Sequence, residues 1–512
     1  MMLITLGLIT LLSVSTCDDG SLDFVLVPID TGDRHTIVHL ETQTYSTQSD
    51  PVILNISMST REIIERFDTL EAVSYQFQLS DNEIPQYGVI GDTAIYIRLS
   101  GIGDITGVTL KARFNDMATI TVYPTLSLGS QYKIISYCQI LGSCHVGFAG
   151  LNDNSTNIKI VFPHLDDMEV DVNGTTYHSG DIINVQLTYY QAFWLECIEC
   201  ELTNTIIDSS GPLAVFSGGS GTVVRKGVIE STFLTQMPPL STWGKEFLLV
   251  NSNIDDGRDI YRIVSRFSET TVNIDGFDSV TFGDRNHWIQ RLINIGNVLH
   301  IVSNKPILIC QLIYDGLNNA AMVVVPPVEQ YSNNSFSLPC HDNVHLLFEG
   351  NSWNAMGVKG IENGTLSIVS NSRFVARSFD PIRDSNALCH IRNDGSVFAL
   401  VYVNMPTSAE AYIDIQYING YSLKDLPLSS PKTVISGDLV DNDGDGKIDE
   451  DDCSAISDGM YDCSAISDGM YDCSAISDGM YDCSTISDDM YYCSAISDDM
   501  YDCSAISVGL YD

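Results

Sequence analysis

Positive charge is scarce in this 512-residue sequence: 25 Lys and Arg stand against 66 Asp and Glu, for a formal net charge of -41. Nucleic acids and anionic membranes attract basic surfaces, so the deficit argues against both as partners. Long apolar runs are also lacking beyond the N-terminus, so we expect no membrane span. Cations are the small partners that this composition favours.

Sequence patterns typical of common enzymes are missing as well. Neither H-E-x-x-H nor G-x-x-x-x-G-K-[ST] occurs, and GGSGT around Ser220 lacks the G-x-S-x-G spacing. GIGDITG from Gly101 departs from the dinucleotide fingerprint and is followed by strand-like sequence. HLDD from His164 is interpreted as a polar turn between strands. We predict no catalytic residues and a non-enzymatic protein.

The N-terminus carries the one targeting signal that we identify. Residues 1–17, MMLITLGLITLLSVSTC, place an apolar stretch before small residues, although a basic start is missing. This pattern predicts a signal peptide, and the stretch is short for the alternative, a membrane anchor. We therefore expect a secreted, extracellular protein.

The cysteines and glycosylation motifs agree with an extracellular location. Of the 14 cysteines, six recur in the C-terminal tail, and most should pair in an oxidising compartment. Cys138 with Cys144 and Cys197 with Cys200 are plausible local bridges, although the sequence leaves their connectivity open. N-x-[ST] motifs, which predict glycosylation, begin at Asn55, Asn154, Asn173, Asn333 and Asn363.

A helix is predicted for residues 60–73, inside an N-terminal β-rich region of residues 18–104. Ser59 and Glu62 form an S-x-x-E capping box, and Ile63, Ile64 and Phe67 follow at helical spacing. From about residue 105 the sequence consists of short β-rich runs separated by Gly, Asn and Asp turns.

One turn-plus-strand phrase recurs in the β-rich region. It reads SSGPLAVFSG from Ser209, SNKPILICQL from Ser303 and SNSRFVARSF from Ser370. Such self-similarity indicates a repeated structural unit. We predict an all-β fold of tandem antiparallel β-units, which are sandwich-like or form an irregular propeller.

The C-terminal tail, residues 453–512, contains six near-identical decapeptides. CSAISDGMYD begins at Cys453, Cys463 and Cys473, and three variants follow. The repeats contain few large apolar residues, so we expect the tail to be largely disordered unless bridges or ions order it. Its evenly spaced cysteines suggest disulfide-linked self-association.

Residues 438–452 precede the decapeptides and contain a calcium-loop pattern. DNDGDGKIDEDD from Asp441 places carboxylates at alternate positions, as oxygen-coordinated Ca²⁺ requires. The pattern resembles dockerin or thrombospondin type 3 loops. Its last position carries an Asp where a longer Glu usually binds with both oxygens, which predicts weakened affinity. The predicted ligands are Asp441, Asp443, Asp445, the Lys447 carbonyl, Asp449 and Asp452.

The stretch TQMPPLSTWGKEFLLV from Thr235 identifies a family resemblance. GPLAVFSGG precedes it and YRIVS, TTVNIDG, SNKPILICQ and VVPPVEQY follow. This order resembles the N-terminal domain of the IgGFc-binding protein family over about residues 105–425. Members often carry a cysteine pair in the stretch that reads SGTVVRKGVIESTFL here, and this sequence has none. The matched motif residues are Pro238, Pro239, Ser241, Thr242, Trp243 and Gly244.

The resemblance implies a secreted binding protein of mucus or extracellular matrix, with an extracellular protein or glycoprotein as ligand. The family name implies binding of antibody Fc, but no motif here identifies an Fc site, and fold alone does not fix function. The alternative is a secreted hydrolase of glycans or glycoproteins. That activity requires two carboxyl groups about 5 to 9.5 Å apart in a pocket.

Overall fold

The computed structural model contains a unit of Met1–Pro427 and a unit of Leu428–Asp512. It describes the following residues: 21–29, 36–43, 51–68, 73–102, 109–114, 120–138, 142–152, 155–165, 168–220, 223–224, 227–228, 232–252, 259–283, 288–293, 298–314, 320–331, 336–339, 343–349, 356–359, 365–368, 373–379, 388–393, 398–404, 414–418, 460–462 and 480–482.

Strands, nearly all of them paired antiparallel, are the main secondary structure of the described residues, which confirms the predicted all-β fold. Alternation of apolar and polar residues explains many of the strands. In Thr156–Val161 and Ile182–Leu187, buried and exposed side chains alternate, as expected for a sheet with one face on the core. No described helix is long and apolar enough to cross a membrane.

The helix predicted for residues 60–73 is wrong. Glu62–Phe67 is a strand that pairs with Val52–Ser57. Ile63 and Phe67 lie on one face of this strand and pack on the core, whereas Ile64 lies on the other face and is 61% exposed. The Ser59 hydroxyl donates to the Asp92 carbonyl, so it does not cap a helix. Tertiary pairing has overridden the local signal.

The described residues form four repeats, and the first of them has two four-stranded sheets of order β5-β2-β7-β8 and β4-β3-β6-β1. Buried side chains from both sheets form one core, so the repeat is sandwich-like. Its strands are β1 Leu22–Leu26, β2 Ile37–Gln43, β3 Val52–Ser57, β4 Glu62–Phe67, β5 Ser74–Gln78, β6 Ile95–Ser100, β7 Thr109–Phe114 and β8 Ile120–Val122.

The second repeat has the same strand order, with sheets β15-β10-β17-β20 and β14-β11-β16-β9. Two hairpins, β12–β13 and β18–β19, are inserted between its equivalent strands. Its strands are β9 Gln131–Lys133, β10 Ser143–Gly150, β11 Thr156–Val161, β12 Glu169–Val172, β13 Thr175–His178, β14 Ile182–Leu187, β15 Ala192–Ile198, β16 Ile206–Ser209, β17 Leu213–Ser220, β18 Val223–Val224, β19 Gly227–Val228 and β20 Phe233–Gln236.

The third repeat preserves this order although its strands form one seven-stranded sheet. The long strand β26 supplies the sixth and seventh positions: its first part pairs with β21 and β23, and its second part with β22 and β27. The strands are β21 Gly244–Val250, β22 Asp259–Ser265, β23 Thr271–Ile274, β24 Val280–Thr281, β25 Trp288–Ile293, β26 Val298–Tyr314 and β27 Ala320–Val325.

The fourth repeat differs at one position, because its fourth strand, β31, pairs with β32. Its sheets have the orders β31-β32-β29-β34-β35 and β28-β33-β30. The strands are β28 Phe336–Pro339, β29 Asn343–Glu349, β30 Met356–Lys359, β31 Thr365–Ile368, β32 Phe374–Phe379, β33 Leu388–Asn393, β34 Phe398–Asn404 and β35 Asp414–Ile418.

The repeated strand order makes the antiparallel sheets follow one another in a propeller-like arrangement of sandwich-like units. It also corrects two sequence-based assignments. The expected boundary between residues 104 and 105 lies inside the first repeat, because β7 pairs with β2. The phrases from Ser209 and Ser303 enter seventh-position strands, whereas the phrase from Ser370 covers β32, which occupies the fifth position.

In the Leu428–Asp512 unit, the described residues are two short strands in the decapeptides. β36 Met460–Asp462 and β37 Met480–Asp482 pair in parallel, with Tyr461 opposite Tyr481. The paired triplets have the same sequence and come from alternate decapeptides. The remaining tail residues lie outside the described part of the chain.

Candidate functional site

The predicted family motif forms a connector between β20 and β21. Leu240–Thr242 is a 3₁₀ turn after Pro239, and the Trp243 N–H donates to the Leu240 carbonyl at 3.1 Å. The Trp243 indole is buried, and its Nε1–H donates to the Pro238 carbonyl at 3.3 Å. This motif therefore joins the second repeat to the third through a buried anchor.

Gly244, the last motif residue, allows a close backbone approach. A Cβ at this position would lie 2.4 Å from the Cβ of Pro327 and 2.6 Å from a carboxylate oxygen of Glu329. The Glu329 carboxylate also accepts the Lys245 N–H at 2.8 Å. Glycine is required here because any side chain would collide with the next connector.

Equivalent connectors recur at all three boundaries between repeats. Each consists of a proline, a three-residue 3₁₀ turn and a buried residue whose N–H donates to the first carbonyl of the turn. The prolines hold φ near the value of an extended chain. The buried residues have different side chains, which hides the relationship in the sequence. The three connectors are Pro124–Leu128, Pro239–Trp243 and Pro327–Tyr331.

A buried arginine crosses the boundary between the second and third repeats. Arg262 on β22 donates to the Glu201 carboxylate at 2.6 Å, to the Thr203 hydroxyl at 3.0 Å and to the Ser136 carbonyl. The Arg262 side chain is 1% exposed and that of Glu201 is 16% exposed. Paired and hydrogen-bonded in this way, the guanidinium can stay charged inside the protein.

Two aromatic rings complete the surroundings of this guanidinium. The Arg262 Cζ lies 4.3 Å from the ring centroid of Tyr137 and 4.2 Å from that of Trp288. Tyr137 belongs to the second repeat and Trp288 to β25 of the third. Cation–π contacts strengthen when the cation is desolvated. Arg262 therefore links the two repeats by charge, hydrogen bonds and ring contacts together.

His145 occupies the corresponding boundary between the first and second repeats. It is 3% exposed, and its ring stacks on Tyr87 with centroids 5.3 Å apart. Its Nε2 lies 3.0 Å from the Ser220 hydroxyl, and its Nδ1 is buried without a hydrogen-bond partner in the described structure. Burial lowers the pKa of His145 from 6.5 to about 4, because the imidazolium would be poorly solvated.

The pKa of His145 predicts acid sensitivity at this boundary. Below pH 6.5 His145 is protonated in the unfolded chain but stays neutral in the folded protein. The free energy of unfolding therefore falls with pH until the folded-state pKa of about 4 is reached. We expect His145→Phe to remove this loss, worth about 1 to 3 kcal/mol between pH 7 and pH 4. Urea unfolding at both pH values measures it; parallel pH curves for the two proteins would contradict the assignment.

The outer face of the second repeat carries a shallow groove with a volume of about 540 Å³, here called the polar groove, in which polar side chains line the surface together with Ile158 and Val185. Asn157 on β11 lies opposite Gln186 on β14, and Lys159 lies opposite both Asn184 and Asp208. The Gln186 amide donates to the Asn157 side-chain oxygen at 3.2 Å, so neighbouring strands align these groups. Amides, a cation and a carboxylate on one flat face can hydrogen-bond a polar ligand.

The groove lining holds a single carboxylate, that of Asp208. The paired carboxyl groups that glycoside hydrolysis requires are therefore not supplied by the groove itself. Elsewhere in the described residues, sulfur atoms of Cys138 and Cys144 group with the Glu201 carboxylate within 4.8 Å. Both sulfurs are in a disulfide, which leaves no thiolate to bind a metal.

Several predicted site residues lie outside the described part of the chain. These are the calcium ligands Asp441, Asp443, Asp445, Lys447, Asp449 and Asp452, the signal peptide of residues 1–17, and the glycosylation sites Asn154, Asn333 and Asn363. The other two glycosylation sites are described. Asn55 is on β3 and donates to Glu62 at 2.7 Å, and Asn173 is exposed in the β12–β13 turn with a φ of 52°.

Comparison with known proteins gives one family. Residues 117–351 match the family described as IgGFc binding protein, from just before β8 to just after β29. The comparison with curated proteins finds no match. The matched region spans the second and third repeats with their connectors, the Arg262 cluster and the polar groove. For residues 117–351 this match confirms the resemblance to the IgGFc-binding protein family that was read from the sequence.

Sequence reasoning missed the residues that join the repeats. Arg262 stands in the family phrase YRIVS, but nothing in that phrase indicates that its partner is Glu201, which lies 61 residues earlier. The groove residues were missed because each strand alone shows ordinary alternation. Their proximity depends on strand order and register, which the sequence does not encode locally.

Proposed function

We propose that the chain is a secreted, non-enzymatic binding protein of mucus or extracellular matrix, with the polar groove of the second repeat as its recognition surface. One observation carries this proposal: the groove lies wholly inside the region that matches a binding-protein family. Proteins of this family are extracellular, which agrees with the predicted signal peptide. The ligand class is an extracellular glycoprotein, whose polar sugars and backbone suit an amide-rich face.

Binding measurements with the full chain test this proposal. We would immobilise the protein and measure binding of purified IgG Fc and of a purified mucin by surface plasmon resonance. Saturable binding of at least one glycoprotein is expected, with at least tenfold weaker binding by Asn184→Ala/Gln186→Ala. The matched control is Thr176→Ala, which alters an exposed residue of the β13 hairpin outside the groove.

Two results would contradict the proposal. One is the absence of saturable binding to both glycoproteins, and the other is equal binding by the groove variant and the wild-type protein. Release of sugar or peptide fragments from the bound glycoprotein would instead support the alternative, a hydrolase.

Calcium binding by the loop of residues 438–452 is a further part of the proposal. Asp441, Asp443 and Asp445 repel one another without an ion, so Ca²⁺ should bind there. We expect one site with a Kd of about 10⁻⁴ to 10⁻³ M. Calorimetry on the full chain should show its loss in Asp441→Ala and tighter binding in Asp452→Glu. Unchanged calcium heat in Asp441→Ala would refute the site.

The decapeptide cysteines are proposed to link chains to one another. Six cysteines recur at ten-residue spacing after Asp452, so bridges between chains are as accessible as bridges within one chain. Non-reducing electrophoresis of the full chain should show a ladder of oligomers. Treatment with a thiol reductant should convert this ladder to a single monomer band. A chain truncated after Asp452 should lack the ladder; identical patterns for both proteins would exclude this role.

A further inference from the structure

Two disulfides of the second repeat each include one cysteine on a strand of the same sheet. Cys138 is bonded to Cys144, and Cys197 is bonded to Cys200. Cys144 on β10 stands directly opposite Cys197 on β15 in the antiparallel register. Residues directly opposite each other point to the same face of a sheet, so these two cysteines are neighbours.

The spacing of this pair suits a third disulfide. Directly opposite residues of antiparallel strands have Cα atoms about 4.5 to 5.5 Å apart, inside the range that a disulfide spans. The two observed bridges have Cα–Cα distances of 5.4 and 5.5 Å. The Cα–Cα separation expected for this directly opposite pair is therefore one that a disulfide can span.

Access from solvent distinguishes the four sulfurs. Cys144 and Cys197 are fully buried and Cys138 is 6% exposed, whereas Cys200 is partly exposed. Cys200 follows the end of β15, where Ile198 is 67% exposed. Glu199, between them, has a φ of 56°, a left-handed conformation that is unfavourable for this residue.

We propose that these four cysteines form a thiol–disulfide exchange site, in which a thiol-bearing ligand becomes covalently attached to Cys200 while Cys144 and Cys197 become bonded to each other. The ligand class is any thiol small or flexible enough to reach the Cys197–Cys200 turn. The site does not depend on the glycoprotein-binding groove, which lies on the other sheet of the repeat.

The exchange consists of two substitutions at sulfur. The incoming thiolate attacks Cys200, forming a mixed disulfide and breaking the Cys197–Cys200 bond, so that Cys197 leaves as a thiolate. Cys197 then attacks Cys144, forming the cross-strand bond and breaking the Cys138–Cys144 bond. Cys138 leaves with the electron pair and takes up one proton, equivalent to the proton lost by the ligand thiol. Two disulfides are present before and after, so no oxidant or reductant is consumed.

The second step explains why the first would persist. A buried thiolate is unfavourable, and Cys197 has no exposed surface in this structure. Without its neighbour, Cys197 would return to Cys200 and expel the ligand. Cys138 is also buried, at 6% exposed, so the transfer does not expose the free sulfur to solvent; it places that sulfur away from Cys200, which leaves the ligand attached.

Tryptic peptides distinguish the two states of the full chain. Cys138 and Cys144 lie in the peptide of residues 134–159, and Cys197 and Cys200 lie in the peptide of residues 160–225. The observed bridges are internal to these peptides, whereas a Cys144–Cys197 bond links them. We would treat the protein with one equivalent of reduced glutathione, quench with acid and N-ethylmaleimide, and analyse the digest by mass spectrometry.

The expected product has glutathione on Cys200, peptides 134–159 and 160–225 linked through Cys144 and Cys197, and N-ethylmaleimide on Cys138. The control variant Cys310→Ala, which removes a buried unpaired cysteine outside the four, should give the same linked yield within about twofold. A failure to modify Cys200, or glutathione on Cys200 with Cys197 alkylated and Cys138–Cys144 intact, would overturn the proposal.

A single variant tests the second step without added thiol. Cys200→Ser releases Cys197, which should attack its neighbour and yield the linked peptides with an alkylated Cys138. Alkylated Cys197 beside an intact Cys138–Cys144 bridge would overturn the proposal even if glutathione modifies the wild-type protein.

Discussion

Arg262→Met should lower the free energy of unfolding of the second and third repeats by about 3 to 5 kcal/mol, the range for breaking a buried ion pair. The reason is that Glu201 and the Ser136 carbonyl lose their partner at a boundary where the guanidinium is 1% exposed. Unfolding in guanidinium chloride, followed by tryptophan fluorescence, measures the effect, since Trp288 contacts Arg262 directly.

An exposed ion pair in the first repeat provides the matched control. Arg98 binds Asp23 at 2.6 Å, but their side chains are 51% and 31% exposed. Arg98→Met should therefore cost less than about 1 kcal/mol. Replacing both Arg262 and Glu201 by Met should recover part of the loss, because no charge is then left unpaired. Equal effects of the two single substitutions would show that Arg262 does not join the repeats.

Trp243→Ala is the second large effect that we expect, with a loss of about 3 to 5 kcal/mol from emptying a buried aromatic site. Trp243 is 2% exposed and its indole donates to the Pro238 carbonyl. Thermal unfolding measures the change. Leu126→Ala is the matched control, because Leu126 is a large apolar residue of an equivalent connector but is 77% exposed.

The control should stay within about 0.5 kcal/mol of the wild-type protein. An unchanged melting temperature in Trp243→Ala, together with loss of glycoprotein binding, would instead make Trp243 a ligand contact.

The sequence predicted the fold class well because strand alternation and turn residues are local signals. TNIKIV and IINVQL each reveal a half-buried strand without reference to any partner. The wrong helix prediction for residues 60–73 has the same cause, because it used only local signals. The spacing of Ile63, Ile64 and Phe67 favours a helix, but pairing with β3 makes this segment a strand and leaves Ile64 61% exposed.

The number of repeats could not be predicted, because equivalent elements differ in sequence. Leu128, Trp243 and Tyr331 perform the same role after the same proline and turn, yet they share only burial. The family phrases MPPLSTWG and VVPPVEQY were recognised separately. Their equivalence follows only from the strand order of the repeats that they connect.

The candidate groove required information that no sequence window contains. Asn157, Lys159 and Asp208 come from strands that pair across about fifty residues of chain. The proximity of Cys144 to Cys197 also depends on strand pairing. Local spacing in the sequence suggested two separate bridges and gave no sign that they are close together. What the sequence did identify was the family, through phrases that form the connectors and boundary strands.

Hydrogen exchange on the full chain, with and without the bound glycoprotein, tests the central claim that the second repeat's polar groove is the recognition surface. We expect the ligand to slow exchange in Ile182–Leu187, an edge strand of this sheet, and in residues 209–210 at the end of β16. Exchange in the equivalent strand of the first repeat, β4, should be unaffected. Protection confined to other repeats, with none at Ile182–Leu187, would contradict it.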